Sequence, residues 1–139
     1  MIVGMHLFVQ IHPHPGCTLP QSFETLAELL IPLPGMVFEM DGSFVWVDHT
    51  PSKAFQPELR NQMDGMVYDR EGKIQYIEVK GNCSRAQWFT LCEAVCNLAD
   101  TRRSEVTTPD FDRFHSTIRI HRVDQGDWTV ATAIAAALQ

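Results

Sequence analysis

The chain has 139 residues, 45% of them hydrophobic and 20% charged, with a formal net charge of −6. That length fits one domain, read here as 1–139, able to bury a core without disulfide or metal support, and the composition excludes a disordered or low-complexity chain. No apolar run approaches the ~20 residues of a membrane helix, and the acidic balance argues against a coat for nucleic acid or anionic membranes, although a local basic groove is compatible with it.

Residues 1–12 alternate as a strand. Val3, Met5, Leu7, Val9 and Ile11 form an apolar face, with Gly4, His6, Gln10 and His12 on the other. The segment lacks a basic leader and a cleavage site, so a cytoplasmic location is expected. Pro13 and Pro15 then turn the chain out of the sheet. His12, His14 and Cys17 lie close enough in sequence to be considered as zinc ligands, but they lack the paired spacing of a zinc finger.

From 21 to 31, Phe23, Leu26, Ala27, Leu29 and Leu30 make a helical stripe. Ser22 is its cap, and Pro32 and Pro34 stop it. Glu24 and Glu28 share the far side. Residues 36–48 form a hairpin turning at Asp41-Gly42. A loop covers 49–62, and a second hairpin pairs 63–69 with 73–80. The helix 85–99 opens with a Ser84/Gln87 capping box. Trp88, Leu91, Cys92, Val95 and Ala99 face inward from it, Cys92 and Cys96 as small reduced hydrophobes. Trp46 and Trp88 are expected in the core. A polar loop spans 100–112, a strand 113–123 and an alanine-rich helix 128–138. Trp128 is read as core, with an oligomer contact as the alternative.

The order β-α-ββ-ββ-α-β-α predicts an α+β fold. Its antiparallel or mixed sheet has two central hairpins plus N- and C-terminal strands, with about three helices packed against it.

The second hairpin carries the chemistry. A three-residue turn with Gly72 in the left-handed position pairs Asp69 with Lys73, Tyr68 with Ile74, Met66 with Tyr76 and Asp64 with Glu78. Lys80 then points to the same side. Opposed carboxylates, with Cβ atoms ~4.5–5.5 Å apart, repel unless a cation, a shared proton or solvent relieves them. A divalent metal suits their hard oxygens. That face also carries Met66, Tyr68, Ile74 and Tyr76, read as buried. Equally, Glu and Lys two residues apart commonly line a solvated strand, and a two-residue turn would move Asp64 out of register with Glu78.

Asp64 at the start of one strand and Glu78-Val79-Lys80 at the end of the next resemble the PD-(D/E)xK nuclease superfamily, whose core is a helix, three strands, a helix and a strand. The resemblance covers about residues 21–123 and implies a nuclease-like domain acting on phosphodiester bonds. Asp64 and Glu78 would bind Mg²⁺ or Mn²⁺, Lys80 would assist the attacking water, and Glu24 or Glu28 would supply a further acidic ligand. Met63 stands where the family has proline, and four strands precede the second helix where the family has three.

On the last strand Arg113, His115, Thr117, Arg119 and His121 share a face, near Arg102 and Arg103 in sequence. Arg113 and Arg119 are the candidate phosphate contacts for a nucleic acid; a solvated face is the other reading. The competing function is a non-catalytic α+β interaction domain, a ferredoxin-like βαββαβ variant with an added hairpin, that binds a protein partner or forms a homodimer. No membrane partner is expected.

Overall fold

The computed structural model describes residues 6–48, 61–97 and 111–138. The expected loops 49–62 and 100–112, residues 1–5, the end of the helix 85–99, and Arg102 and Arg103 fall wholly or largely outside them.

Among the described residues, eleven elements follow in chain order. They are β1 (Leu7–Pro13), α1 (Phe23–Leu30), β2 (Met36–Phe38), β3 (Ser43–Val47), β4 (Gln62–Arg70), β5 (Lys73–Gly81), α2 (Arg85–Cys96), a 3₁₀ turn (Phe111–Phe114), β6 (Ile118–Arg122), β7 (Asp127–Thr129) and α3 (Ala131–Ala137). The fold is α+β. The strands form one antiparallel sheet in the order β2-β3-β4-β5-β1-β6-β7. Without β2, β3 and β7, the order is β1-α1-β4-β5-α2-β6: a βαββαβ unit with β1 between β5 and β6, a hairpin added beside β4 and a short strand beside β6.

Local chemistry starts and stops these elements. Ser22 and Ser84 both close capping boxes, with Thr25 and Gln87, satisfying amides that a helix start leaves open. α2 ends on Asn97 at φ 61°, a residue that tolerates the left-handed conformation. The buried Gln21 side chain donates to the Ala94 carbonyl at 2.9 Å, and Arg85 donates to the Ala135 and Leu138 carbonyls at 3.0 and 3.2 Å. Carbonyls near two helix ends thus find donors.

Alternation decides which side of the sheet is covered. Leu7, Val9 and Ile11 on β1, Met63 and Val67 on β4, and Ile77 and Val79 on β5 are buried in one core. The same core contains Leu26 and Leu30 of α1, Trp88 and Leu91 of α2, and Ile134 of α3. The three α-helices of the described residues therefore lie on one face of the sheet. Trp46 and Trp88 are buried as expected, and the Trp88 indole donates to the Ala131 carbonyl at 3.1 Å.

Two expectations at the C-terminal end are corrected. The strand 113–123 is limited to Ile118–Arg122, because Phe111 and Phe114 take a 3₁₀ turn that brings both rings to Phe89, with centroids 5.1 and 5.3 Å away. The tail 128–138 is not one helix. The turn at Gly126 (φ 74°) and the bidentate Arg122–Asp127 pair (3.0 and 2.9 Å) return 127–129 as β7, and α3 begins only at Ala131. Trp128 is consequently 44% exposed and not in the core.

Candidate functional site: the uncovered sheet face

The hairpin β4–β5 turns on Glu71-Gly72, at φ 54° and 86°. Positive φ at both positions is what a two-residue hairpin turn requires. A bulge between Tyr68 and Asp69 then shifts the register. The observed pairs are Arg70 with Lys73, Asp69 with Ile74, Tyr68 with Tyr76, Met66 with Glu78 and Asp64 with Lys80. The expected pairing of Asp64 with Glu78 is therefore corrected. The bulge keeps Asp64, Met66, Tyr68, Tyr76, Glu78 and Lys80 on one face, but moves the carboxylates from opposite to diagonal. Asp64 now faces a lysine, which is a favourable cross-strand pair. The repulsion that called for a metal is gone.

This face is also not the buried one. Tyr68 is 37% exposed, and only Ile74 of the four apolar residues assigned to it is buried. Asp64, Gly65, Met66, Tyr68, Glu78 and Lys80 line a depression of about 280 Å³. Gln10 on β1 donates to Glu78 Oε2 at 3.1 Å and accepts from His12 Nε2 at 2.9 Å. The Lys80 ammonium lies 5.2 Å from the Phe8 ring centroid. Among the described residues, no group of three or more His, Cys, Asp or Glu side chains is placed to hold a metal ion.

Glu24 and Glu28 are exposed on α1, in the helical layer on the other side of the sheet. Arg113 sits in that layer too, 3.9 Å from Glu93 of α2. The structure does not bring these three to Asp64 and Glu78. The expected basic strip also divides: Arg119 and His121 stay on the uncovered face, while His115 binds Thr132 Oγ1 at 3.1 Å beside the 3₁₀ turn. His12, His14 and Cys17 diverge as well. His12 lies among the face's rings, His14 donates to the His115 carbonyl at 2.6 Å, and Cys17 is exposed. Cys83, Cys92 and Cys96 are buried, and burial pushes the thiols of Cys83 and Cys96 up to about 12. Such thiols resist forming the thiolate that metal binding or nucleophilic attack needs.

What the sequence reading missed is a row of rings crossing the uncovered face. Tyr68 on β4 stacks on Tyr76 of β5 (4.6 Å), and Tyr76 on His12 of β1 (5.0 Å). His12 meets Trp128 of β7 edge-on at 5.1 Å, and His121 of β6 lies 4.7 Å from the same indole. The Arg119 guanidinium is 3.7 Å from the Trp128 ring centroid, and its Nε is buried without a hydrogen-bond partner. Burial, then Arg119 and His121, hold the His12 imidazole below its usual value. Burial raises the Tyr76 phenol, as do Tyr68 and Glu78. The sequence signal was the aromatic and cationic content of the polar-phase positions on five strands, legible only once those strands are known to be neighbours.

A second polar cluster lies in the helical layer. Thr132 donates to Asp112 Oδ1 at 2.6 Å, and His115 Nε2 approaches both, at 3.1 Å from the hydroxyl and 3.6 Å from the carboxylate. Thr132, His115 and Asp112 are the residue types of a nucleophilic triad. Here the carboxylate shares the imidazole's Nε2 edge and takes the hydroxyl proton itself, so the relay order of a triad is not formed.

Comparison with known families, with curated proteins and with solved structures finds no match for this chain.

Proposed function

We propose that this protein is a non-catalytic binding domain whose recognition surface is the uncovered face of the sheet, and that its partner is a protein surface. One observation carries the reading: among the described residues, helices pack on one side of the seven-stranded sheet only, and its other side bears the continuous row Tyr68-Tyr76-His12-Trp128 with Arg119 against the indole. Tyr, Trp and Arg are the residues that dominate protein interfaces. Half-buried aromatic rings left at a solvent boundary suit a contact surface better than a polar exterior. Stacking of nucleobases is less well served, because ring faces in this row are already taken by neighbouring rings and the net charge is −6.

A paired photocrosslinking experiment tests this reading. A photoreactive phenylalanine replaces Val45 on the uncovered face or Glu28 on the helical layer, and cells expressing each variant are irradiated. Protein adducts should form from position 45 and not from position 28. Equal yields from both positions, or none from position 45, would remove the assignment.

A second reading keeps one support, the depression that Asp64, Glu78 and Lys80 line together. In it Asp64 and Glu78 hold Mg²⁺ or Mn²⁺ and Lys80 assists a water attacking a phosphodiester. Metal at one hundred times its Kd should then stabilise the fold by ~2.7 kcal/mol. Loss of that shift in Glu78→Gln supports the reading, and no shift at millimolar metal removes it.

A further inference from the structure

We infer that the occupant of the uncovered face is a second copy of this chain, the two sheets packing face to face about a two-fold axis. This inference rests on the binding reading above and names its partner.

Size is the first argument. Seven strands spaced ~4.8 Å apart, carrying about three rows of side chains ~6.7 Å apart, give a face of roughly 600 Å². Two such faces bury roughly 1,200 Å², the lower bound of a stable standard interface. A small fraction of the face would not hold a dimer, so the contact must span it from β3 to β7.

Charge distribution is the second. Among the described residues, the two carboxylates of the face, Asp64 and Glu78, lie on β4 and β5, with Lys80 of β5 opposite Asp64. Arg119 and His121 lie on β6, beside His12 on β1. Aligned sheets pack about 10 Å apart with strands within ~30° of each other. A two-fold axis along the strands, between β5 and β1, sets β4 of one copy over β6 of the other and β5 over β1. The register then places Tyr68 under the partner copy's Arg119 side and Tyr76 under its His12 side, since these residues share one row across the sheet. Glu78 then lies over the partner copy's Gln10 position, beside that of His121 and diagonal to that of Arg119. Trp128, 44% exposed in the single chain, loses its exposure. The alternative axis, across the strands, would set Glu78 against Glu78, which like-charge repulsion disfavours. With Asp64 matched by Lys80, the net charge of one half is the acid Glu78 and that of the other is basic, which is the self-complementarity that a two-fold interface demands.

Sedimentation velocity on the full chain is the test. Wild type should sediment at twice the 15.8 kDa chain mass at high concentration and dissociate on dilution. Arg119→Glu alone places like charges across the axis twice, as does Glu78→Lys alone, and each should weaken self-association by about tenfold or more. Mixing the two variants makes both contacts complementary, so a heterodimer should form from two chains that do not self-associate. Far-UV circular dichroism of each variant confirms that it is folded, and the mixture would not recover if either were not. A wild type that remains at 15.8 kDa at high concentration overturns the inference. So does a dimer that both single variants leave unchanged, or a mixture that stays monomeric. Position-45 adducts with another protein, alongside a monomeric wild type, would reject the second copy while leaving the binding surface in place. An absence of adducts would reject both.

Discussion

Gly65→Ala should destabilise the protein by about 2 kcal/mol, and the reason lies in the pairing of β3 with β4. Gly65 sits opposite Phe44 in that pair. A methyl group added there would overlap the outer end of the Phe44 ring, with Cζ nearest and Cε1 2.6 Å away. Carbon atoms settle ~3.5–4.0 Å apart, so the ring must retreat by about 1.5 Å. It has little room, being 2% exposed and stacked 6.1 Å from Phe38. Overpacking of this kind costs roughly 1–3 kcal/mol, and replacing glycine in a strand returns about 0.5–1 kcal/mol. If the ring were expelled, the loss would approach the ~3–5 kcal/mol of deleting a buried phenylalanine. Urea unfolding followed by Trp fluorescence measures the difference, and the melting temperature should fall by about 5–10 °C. Phe44→Leu in the same chain should recover part of the loss, with a coupling of about 1 kcal/mol between the two positions. A cost below about 0.5 kcal/mol, with no coupling, would mean that Phe44 does not lie over Gly65. The register of β4, and with it the pairing of Asp64 with Lys80, would then be wrong.

Trp88→Phe should cost about 2–3 kcal/mol, since it shrinks a fully buried side chain and removes the indole's hydrogen bond to the Ala131 carbonyl. Trp128→Phe should cost the dilute protein much less, because Trp128 is 44% exposed, and chemical denaturation compares the two. With a disulfide-forming chromophore, one thiol, Cys17, should react in the native protein, and all four in denaturant. Fast native labelling of a second thiol would contradict the burial of Cys83, Cys92 and Cys96. The folded protein holds the His12 imidazole below its ordinary value, so near pH 6.5 and below the unfolded chain takes up a proton that the native one resists. Stability is therefore lost as pH falls from about 6.5 toward the native pKa, and is present in full above that window. Melting curves at about pH 7.5 and 5.5 should show a smaller acid-induced drop in His12→Phe, which keeps a ring against Tyr76 but does not titrate. An equal drop would place the acid sensitivity elsewhere.

Features written in neighbouring residues were legible in the sequence. Asp41-Gly42 turns the first hairpin, with Asp41 accepting from the Ser43 amide and hydroxyl at 2.9 and 2.7 Å and Gly42 at φ 99°. The Ser84/Gln87 box begins α2 where the pattern placed it. The alternation of Leu7, Val9 and Ile11 identified a buried strand face. The register of β4 and β5 was not legible, because it depends on a bulge at Tyr68/Asp69 whose residues carry no distinguishing signal. Glycine at 65 reads as turn chemistry after Asp64. In the fold it is a mid-strand gap that the Phe44 ring fills. Which face of the sheet the helices cover is a tertiary choice, so Met66, Tyr68 and Tyr76 looked buried when their side is the open one. The same choice separates Glu24, Glu28 and Arg113 from Asp64 and Glu78, although helix and strand periodicity alone allowed them to meet. The ring row from Tyr68 to Trp128 joins residues far apart in sequence, His12 and Trp128 among them, from strands that come together only in the folded sheet.

Oxidative footprinting tests the working surface most directly, comparing the dilute purified protein with the same chain inside cells that express it. Met40, 75% exposed in the turn after β2, serves as the internal reference. Occupancy of the uncovered face should slow oxidation of Tyr68 and Trp128 relative to Met40 in the cells. If Tyr68 and Trp128 oxidise at the same ratio to Met40 in both settings, the uncovered face is not where this protein binds.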